Sequence, residues 1–582
     1  MKLKRLYLRY SLNFQKLKIK LYNLEAEDFQ KAYIVVSKRL YRVVHLRNLV
    51  IFCLGFLVVV FSMFLSSFKT LGAYYQKDKP LVGGVYSEGS VGKFLLLNPL
   101  YSVVNQNDED AVNLIFSGLT KHSRGKEIIP DLASSWSLSQ DRKTYIFDIK
   151  KGVKWQDGQD FTADDVVFTV QTIQNPDAKS PLYEAWKGVK VEKTGSYGVK
   201  FVLNAPDKSF LENTTLKILP RHVLASIPAS DMQTVDFNTS PIGTGPYQFG
   251  SMNEESGRET LILNAFSGYY GKKPFIQKLM LESFADAREM IAEYRKRNIM
   301  AIANPDQADI QRLGNDKTTN IHEYILPRYT AAFFNMDNEF LKDKNLRLAI
   351  SQITDRKNMV DEALDGEGLP VYLPLVYGPN GQSAAADAAQ ASDTLKVAGY
   401  TLAQGKLQFK GKDVKLKIVT AETDEMKKTA DIFQKELGSL GISSDVEAAG
   451  MNDLQNNYLR PRNYDVLILG ENSGLYGDLF SFWHSSQVQD PGLNFSKYKS
   501  PALDKFLEIL RSNNDPAEKQ KMYSEIDRIF QEDNPAVYLY NPFYQFITSD
   551  RVKGVHNGRL VTPADRLNML EDWYLKYQKV SL

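Results

Sequence analysis

Cysteine is almost missing from this 582-residue chain: Cys53 is the only one, and it stands inside an apolar run. The rest of the chain therefore has no disulfides and no thiolate metal ligands, and must hold its fold by packing. Histidine is scarce as well. The six residues His45, His122, His222, His322, His484 and His556 are scattered, and no two have the helical spacing of a metal-binding pair. There is no G-x-S-x-G, no H-E-x-x-H and no phosphate-binding loop. No cofactor or metal is expected, and the chain is not expected to be an enzyme.

A strong net charge is also lacking. The total is +3, but it divides unevenly. Residues 1–47 hold twelve Lys and Arg against Glu25, Glu27 and Asp28, a net +9, which leaves −6 for the other 535 residues. Nucleic-acid binders spread basic charge over the folded body, so nucleic acid is excluded as the main partner. Hydrophobic content of 43% and charged content of 24% are those of a globular protein. The 31 Tyr and 31 Phe suit a protein that holds ligands between apolar walls, and equally suit core packing.

What is present begins with twenty residues free of charge, Leu49 to Phe68, bracketed by Arg47 and Lys69. At about 1.5 Å per residue they reach roughly 30 Å, the thickness of a bilayer's hydrocarbon core. The long basic region before them exceeds a signal peptide's n-region, and the sequence around Cys53 is not an acylation site. An uncleaved signal anchor is expected over 48–69, with 1–47 cytoplasmic and the body extracytoplasmic. Phe29, Tyr33, Val36, Leu40, Val43 and Val44 recur at helical spacing among Lys31, Lys38, Arg39 and Arg42. That pattern fits a helix lying on anionic lipid, or a topology signal alone.

Beyond a linker at 70–80 the chain mixes α and β signals. A strand is expected over Leu81–Tyr86, and Thr144–Ile149 alternates like a half-buried strand. Thr162 reads as the N-cap of a helix with acids in its first turn. The stretch Ile129–Ile173 resembles the signature region of the family 5 extracytoplasmic solute-binding proteins, the dipeptide, oligopeptide and nickel receptors of ABC importers. Ala133, Asp141, Thr144, Tyr145, Phe147, Ile149 and Lys150 satisfy its pattern in order. Gly152-Val153-Lys154-Trp155, Asp157-Gly158 and Thr162 to Phe168 match the family's next conserved-type run, a G-V-K-W turn and an acid-led helix start. Further resemblances are Ile218–His222, Pro241–Tyr247, Phe334-Asn335 with Asn345–Ile350, Asp355-Arg356, Tyr464–Ile468 and Asn534–Tyr540.

The resemblance spans about 81–575. It implies an α/β, two-lobed periplasmic-binding-protein-like (type II) fold. Lobe I would be 81–325, with a subdomain inserted near 113–205, lobe II 326–535, and 536–582 a return to lobe I. The implied partners are a peptide or similar small solute, an ABC transporter permease, and the membrane through the N-terminal helix. Alternatives are a tethered sensor or scavenger without a permease, and an extracellular hydrolase.

The resemblance also directs attention to an inter-lobe cleft. Ser87, Glu88 and Gly89 would follow the first strand and line it, with Glu88 holding a ligand ammonium. Peptide-binding relatives carry a pattern like G-W-x-x-D-x-x-D-P, whose first Asp pairs with the peptide's α-amino group. Here Glu471 replaces the Trp, Gly474 or Leu475 falls where that Asp would be, and Asp478 resembles the second acid. Glu471 or Asp478 is expected to substitute, with Tyr476, Phe482 and Trp483 as apolar walls. The glycines Gly243 and Gly245 read as a structural turn that needs unusual backbone angles.

Overall fold

The computed structural model describes residues 26–74, 76–123, 127–305, 307–314, 316–374, 385–513 and 515–581. The chain divides into two compact units, residues 1–79 with 577–582, and residues 80–576. The described part of the first unit is one unbroken helix, Ala26–Tyr74, followed by the strand Gln76–Leu81, which pairs with Lys576–Ser581. The basic periodic segment and the apolar segment are thus one 49-residue helix rather than two. No helix among the described residues is long and apolar enough to cross a membrane. The side chains at 48–50, 53 and 64–69 of the expected span, and residues 1–25, lie outside the described residues.

The second unit is mixed α/β and is built on two large sheets. One has eight strands, in the order Gly558–Arg559, Thr319–Ile325, Tyr544–Ser549, Ala301–Ala303, Val85–Val91, Lys278–Phe284, Arg258–Ala265, Tyr247–Glu255. Val85–Val91 lies parallel to both its neighbours. The other has six strands, in the order Gly368–Pro370, Ala536–Pro542, Arg328–Phe334, Val466–Asn472, Lys415–Ala421, Ser443–Ala449. A four-stranded sheet, Ala133–Leu138, Thr144–Ile149, Gly198–Val202, Lys190–Gly195, packs into the same core as the first.

The six-stranded sheet is buried on both faces, and the two-residue period of a strand sorts its side chains. Ala332 and Phe334 join one core with Ile418, Val466, Ile468, Val537 and Leu539. Tyr329, Ala331 and Phe333 join the opposite core with Val419, Leu467, Ala536 and Tyr538. The helices Lys344–Ile353, Arg356–Ala363 and Asp424–Ser439 cover the first face. The helices Pro501–Ser512 and Pro516–Asp533 cover the second.

The strand Thr144–Ile149 alternates in burial as its sequence predicts. Thr162 heads the helix Ala163–Gln174 in a capping box with Asp165. Two expectations are corrected. The expected strand Leu81–Tyr86 is instead the end of Gln76–Leu81 and the start of Val85–Val91. Ala536–Pro542, expected to begin the return to lobe I, hydrogen-bonds within the six-stranded sheet, and the chain rejoins the eight-stranded sheet only at Tyr544. The crossings are therefore Leu326-Pro327 and Phe543. They are tied by Asn541 Nδ2, which donates to the Leu326 carbonyl at 2.9 Å.

Candidate functional site

The residues expected at the cleft separate into packed and seam-lining groups. Ser87, Glu88 and Gly89 are not a loop but the middle of the strand Val85–Val91. Ser87 Oγ donates to the Asn298 carbonyl at 3.2 Å. A Cβ on Gly89 would stand 2.6 Å from Ile299 Cδ1 and 2.9 Å from Phe284 Cε2. Glu88 is buried and its carboxylate is already engaged, by Arg566 on one oxygen and the Tyr86 hydroxyl on the other. Buried in the sheet and paired with Arg566, this carboxylate is not presented to a ligand ammonium.

On the other sheet, Glu471 is buried beside Tyr329, whose hydroxyl donates to Oε2 at 2.5 Å. Burial pushes its carboxyl well above the usual carboxylate range, against the Tyr329 hydrogen bond. Trp483 is core, with its ring 4.9 Å from Phe530, and Phe482 packs against the same cluster. Asp478 is held by Arg511, whose Nε lies 3.1 and 3.2 Å from its two oxygens. Tyr476 lies under the Lys208 ammonium, 4.7 Å from ring centroid to Nζ. Tyr476 and Asp478 line a cavity of about 40 Å³ together with Lys208, Arg511 and Lys519.

A second charged cavity lies next to that seam and was not legible in the sequence. It measures about 210 Å³, and its charged lining is Glu109, Lys121, His122, Glu212, Lys217 and Asp565. Glu212, on the short helix Phe210–Asn213, reaches across to the segment after the strand Val466–Asn472. Its two carboxylate oxygens accept the Leu475 N–H at 3.0 and 3.2 Å. Gly474 permits this approach. It has φ +67°, and a Cβ there would lie 2.9 Å from Glu212 Oε2.

Behind Glu212, His122 Nε2 is 4.0 Å from Oε1, and His122 Nδ1 is 2.9 Å from Asp565 Oδ2. Burial pulls the His122 pKa down, but Asp565 and Glu212 outweigh it and the net direction is up. Asp565 goes down despite its burial, because of His122 and the Thr562 N–H. Both directions favour the ion pair. Glu212 itself is pushed up by burial, opposed by the Leu475 N–H and His122. Lys217 is pulled down by burial, with Asp131 and Asp565 opposing. The one local signal for this cavity was Thr562-x-x-Asp565, a capping box that forms as written.

Burial first, and then Asp110, push Glu109 up to about 7. Its unfolded value is near 4.3. The stability that its neutral form supplies is full below about pH 4 and is lost as pH rises through 7. Between pH 5 and 8 the protein is expected to lose about 2 kcal/mol more than Glu109→Gln, after discounting for solvent in the cavity. Urea midpoints across that range measure it; parallel profiles would remove Glu109 as the cause.

Two α/β cores joined by adjacent crossings, with one charged cavity between them and a second beside it in the first core, are the build of a solute-binding class of protein. Residues 127–491 match the family described as bacterial extracellular solute-binding proteins, family 5 Middle, and the chain belongs to that family. It is 29% identical over 516 residues to the oligopeptide-binding protein AppA of Bacillus subtilis, covering 85% of this chain and 92% of AppA. It is 26% identical over 489 residues to the dipeptide-binding protein of Escherichia coli, covering 78% and 88%.

Solved structures agree. AppA of Bacillus subtilis in complex with a nonapeptide superposes with a TM-score of 0.68 at 28% identity, over 86% of this chain and 100% of AppA. NikZ from Campylobacter jejuni with Ni(L-His) gives 0.68 at 26%, over 84% and 99%. Among the described residues here, no group of three or more His, Cys, Asp or Glu is placed to hold a metal ion.

Proposed function

We propose that this chain captures a peptide, or a small solute of similar build, between its two sheets and delivers it to an ABC importer permease. The observation that carries the reading is the cavity beside Glu212, whose lining offers acids and cations to the two ends of a zwitterion. The relatives named for oligopeptide and dipeptide binding support it. In this reading Glu212 takes the ligand ammonium in place of Glu471, which is sealed, and Asp478, which is bound by Arg511. Lys121 and Lys217 face the carboxylate end. Ser87, Glu88, Gly89 and Trp483 serve packing, and Tyr476 and Asp478 stay at the rim. Lobes I and II are then the parts carrying the eight- and six-stranded sheets, and ligand draws them together.

We also propose that residues 49–68 anchor the receptor in the cell membrane with residues 1–47 cytoplasmic. The charge-free run and its bracketing cations support that reading. Tethering keeps the receptor at high local concentration beside its permease.

Native mass spectrometry of the full chain in detergent, followed by calorimetry with whatever peptide is found, tests the receptor reading. Glu212→Gln is expected to weaken that affinity at least tenfold, about 1.4 kcal/mol. Finding no bound mass, and no thermal shift with any peptide pool, overturns the peptide reading. Unchanged affinity in Glu212→Gln removes Glu212 from it.

A further inference from the structure

The small cavity at the seam has an unusual charge balance. Lys208 comes from the turn between the strand Gly198–Val202 and the helix Phe210–Asn213, and Lys519 from the helix Pro516–Asp533. Both line the cavity of about 40 Å³, with Arg511, Asp478, Tyr476 and Tyr523. The Lys519 ammonium acts on Lys208 as a like charge across this cavity. Among the described residues neither lysine forms an ion pair with a carboxylate. The single acid in the lining, Asp478, is spent on Arg511, whose Nε and Nη2 both donate to it. Three cations therefore share one carboxylate, and two of them face each other from opposite sides of the seam.

Like charges that share so small a cavity repel strongly when partly removed from water. Burial first, and then Lys519, draw Lys208 down to about 8. The energetic conflict has a simple chemical remedy. An oxyanion between the two ammonium groups accepts from both, cancels the repulsion and adds charge-assisted hydrogen bonds. The space is right for this. A cavity needs roughly 10–15 Å³ by this measure per water, so about 40 Å³ holds about three waters. That is the bulk of a carboxylate or phosphate head, and too little for a peptide. Leu479, Leu507 and Leu510 close the remaining walls.

We infer that this cavity is an oxyanion site, taking a carboxylate or phosphate group between Lys208 and Lys519. Because the two lysines belong to opposite sides of the seam, the bound anion clips them together. This site is separate from the cavity beside Glu212, and it stands whether or not the ligand there is a peptide.

The test is thermal unfolding of the full chain at pH 7 in chloride, inorganic phosphate or acetate at matched ionic strength. In the wild type, phosphate or acetate is expected to raise Tm by several degrees relative to chloride. The more effective of the two identifies the source as phosphate or carboxylate chemistry. Lys208→Met and Lys519→Met are each expected to abolish the shift, while Lys208→Arg retains it. In chloride, each Met variant is expected to be at least as stable as wild type, because the repulsion is gone. No anion shift in the wild type, a shift that survives both Met variants, or a Met variant that melts lower in chloride would overturn the proposal.

Discussion

Replacing Arg566 with methionine is expected to remove about 3–5 kcal/mol of stability, measured as a fall in the urea midpoint at unchanged slope. Arg566 is fully buried in the segment Pro563–Asp572. It donates through Nη1 and Nη2 to the two oxygens of Asp110, at 2.8 and 2.6 Å. Nη2 also reaches Glu88, and Nη1 bonds the Pro563 carbonyl at 3.0 Å. Tyr86 closes the other side of Glu88. Methionine preserves much of the volume, so the cost comes from two carboxylates left buried without a counter-charge.

The sign with pH comes from the same residues. Burial already raises Glu88, and Arg566 opposes that rise. Without Arg566 the Glu88 carboxyl moves further up, and an acid with a raised folded pKa regains stability as pH falls. The deficit of Arg566→Met should therefore be smaller at pH 5 than at pH 8. Adding Glu88→Gln and Asp110→Asn should restore part of it. An unchanged midpoint, or a deficit that does not respond to the added neutral residues, would mean the network is not what holds this segment down.

Gly243→Ala is expected to cost about 3 kcal/mol, the upper end for overpacking, because the clash is with backbone. A Cβ at Gly243 would lie 1.9 Å from the Ile115 carbonyl oxygen, and one at Gly245 2.4 Å from that of Leu114. Neither glycine has positive φ, so the turn with unusual angles expected from Pro241–Tyr247 is corrected to a close approach. This segment crosses the end of the helix Gln106–Ile115, whose terminal carbonyl accepts from Gly245 N at 2.8 Å and Gln156 Nε2 at 3.1 Å. Gly438 supplies the control. It is helical, with nothing within 4 Å of an added Cβ, so Gly438→Ala should stabilise by about 0.5 kcal/mol. If both variants unfold alike, close approach is not why glycine stands at 243.

Sequence alone settled what depends on neighbours along the chain. The alternation in Thr144–Ile149 and the N-cap at Thr162 are local patterns, and each reappears in the structure. So did the ordered motifs from Ile129 onward, which placed the chain in its family. Only the tertiary structure decided what each charged side chain is for. Glu88 reads as a cleft acid until Arg566 arrives, 478 residues later, to occupy it. Glu212 carries no local signal at all, and acquires a role because Leu475, 263 residues away, is brought to its carboxylate. Lys208 and Lys519 look like ordinary surface lysines until folding sets them face to face. Periodicity and capping are written in near neighbours, but burial and charge pairing depend on contacts that close only when the sheets are assembled.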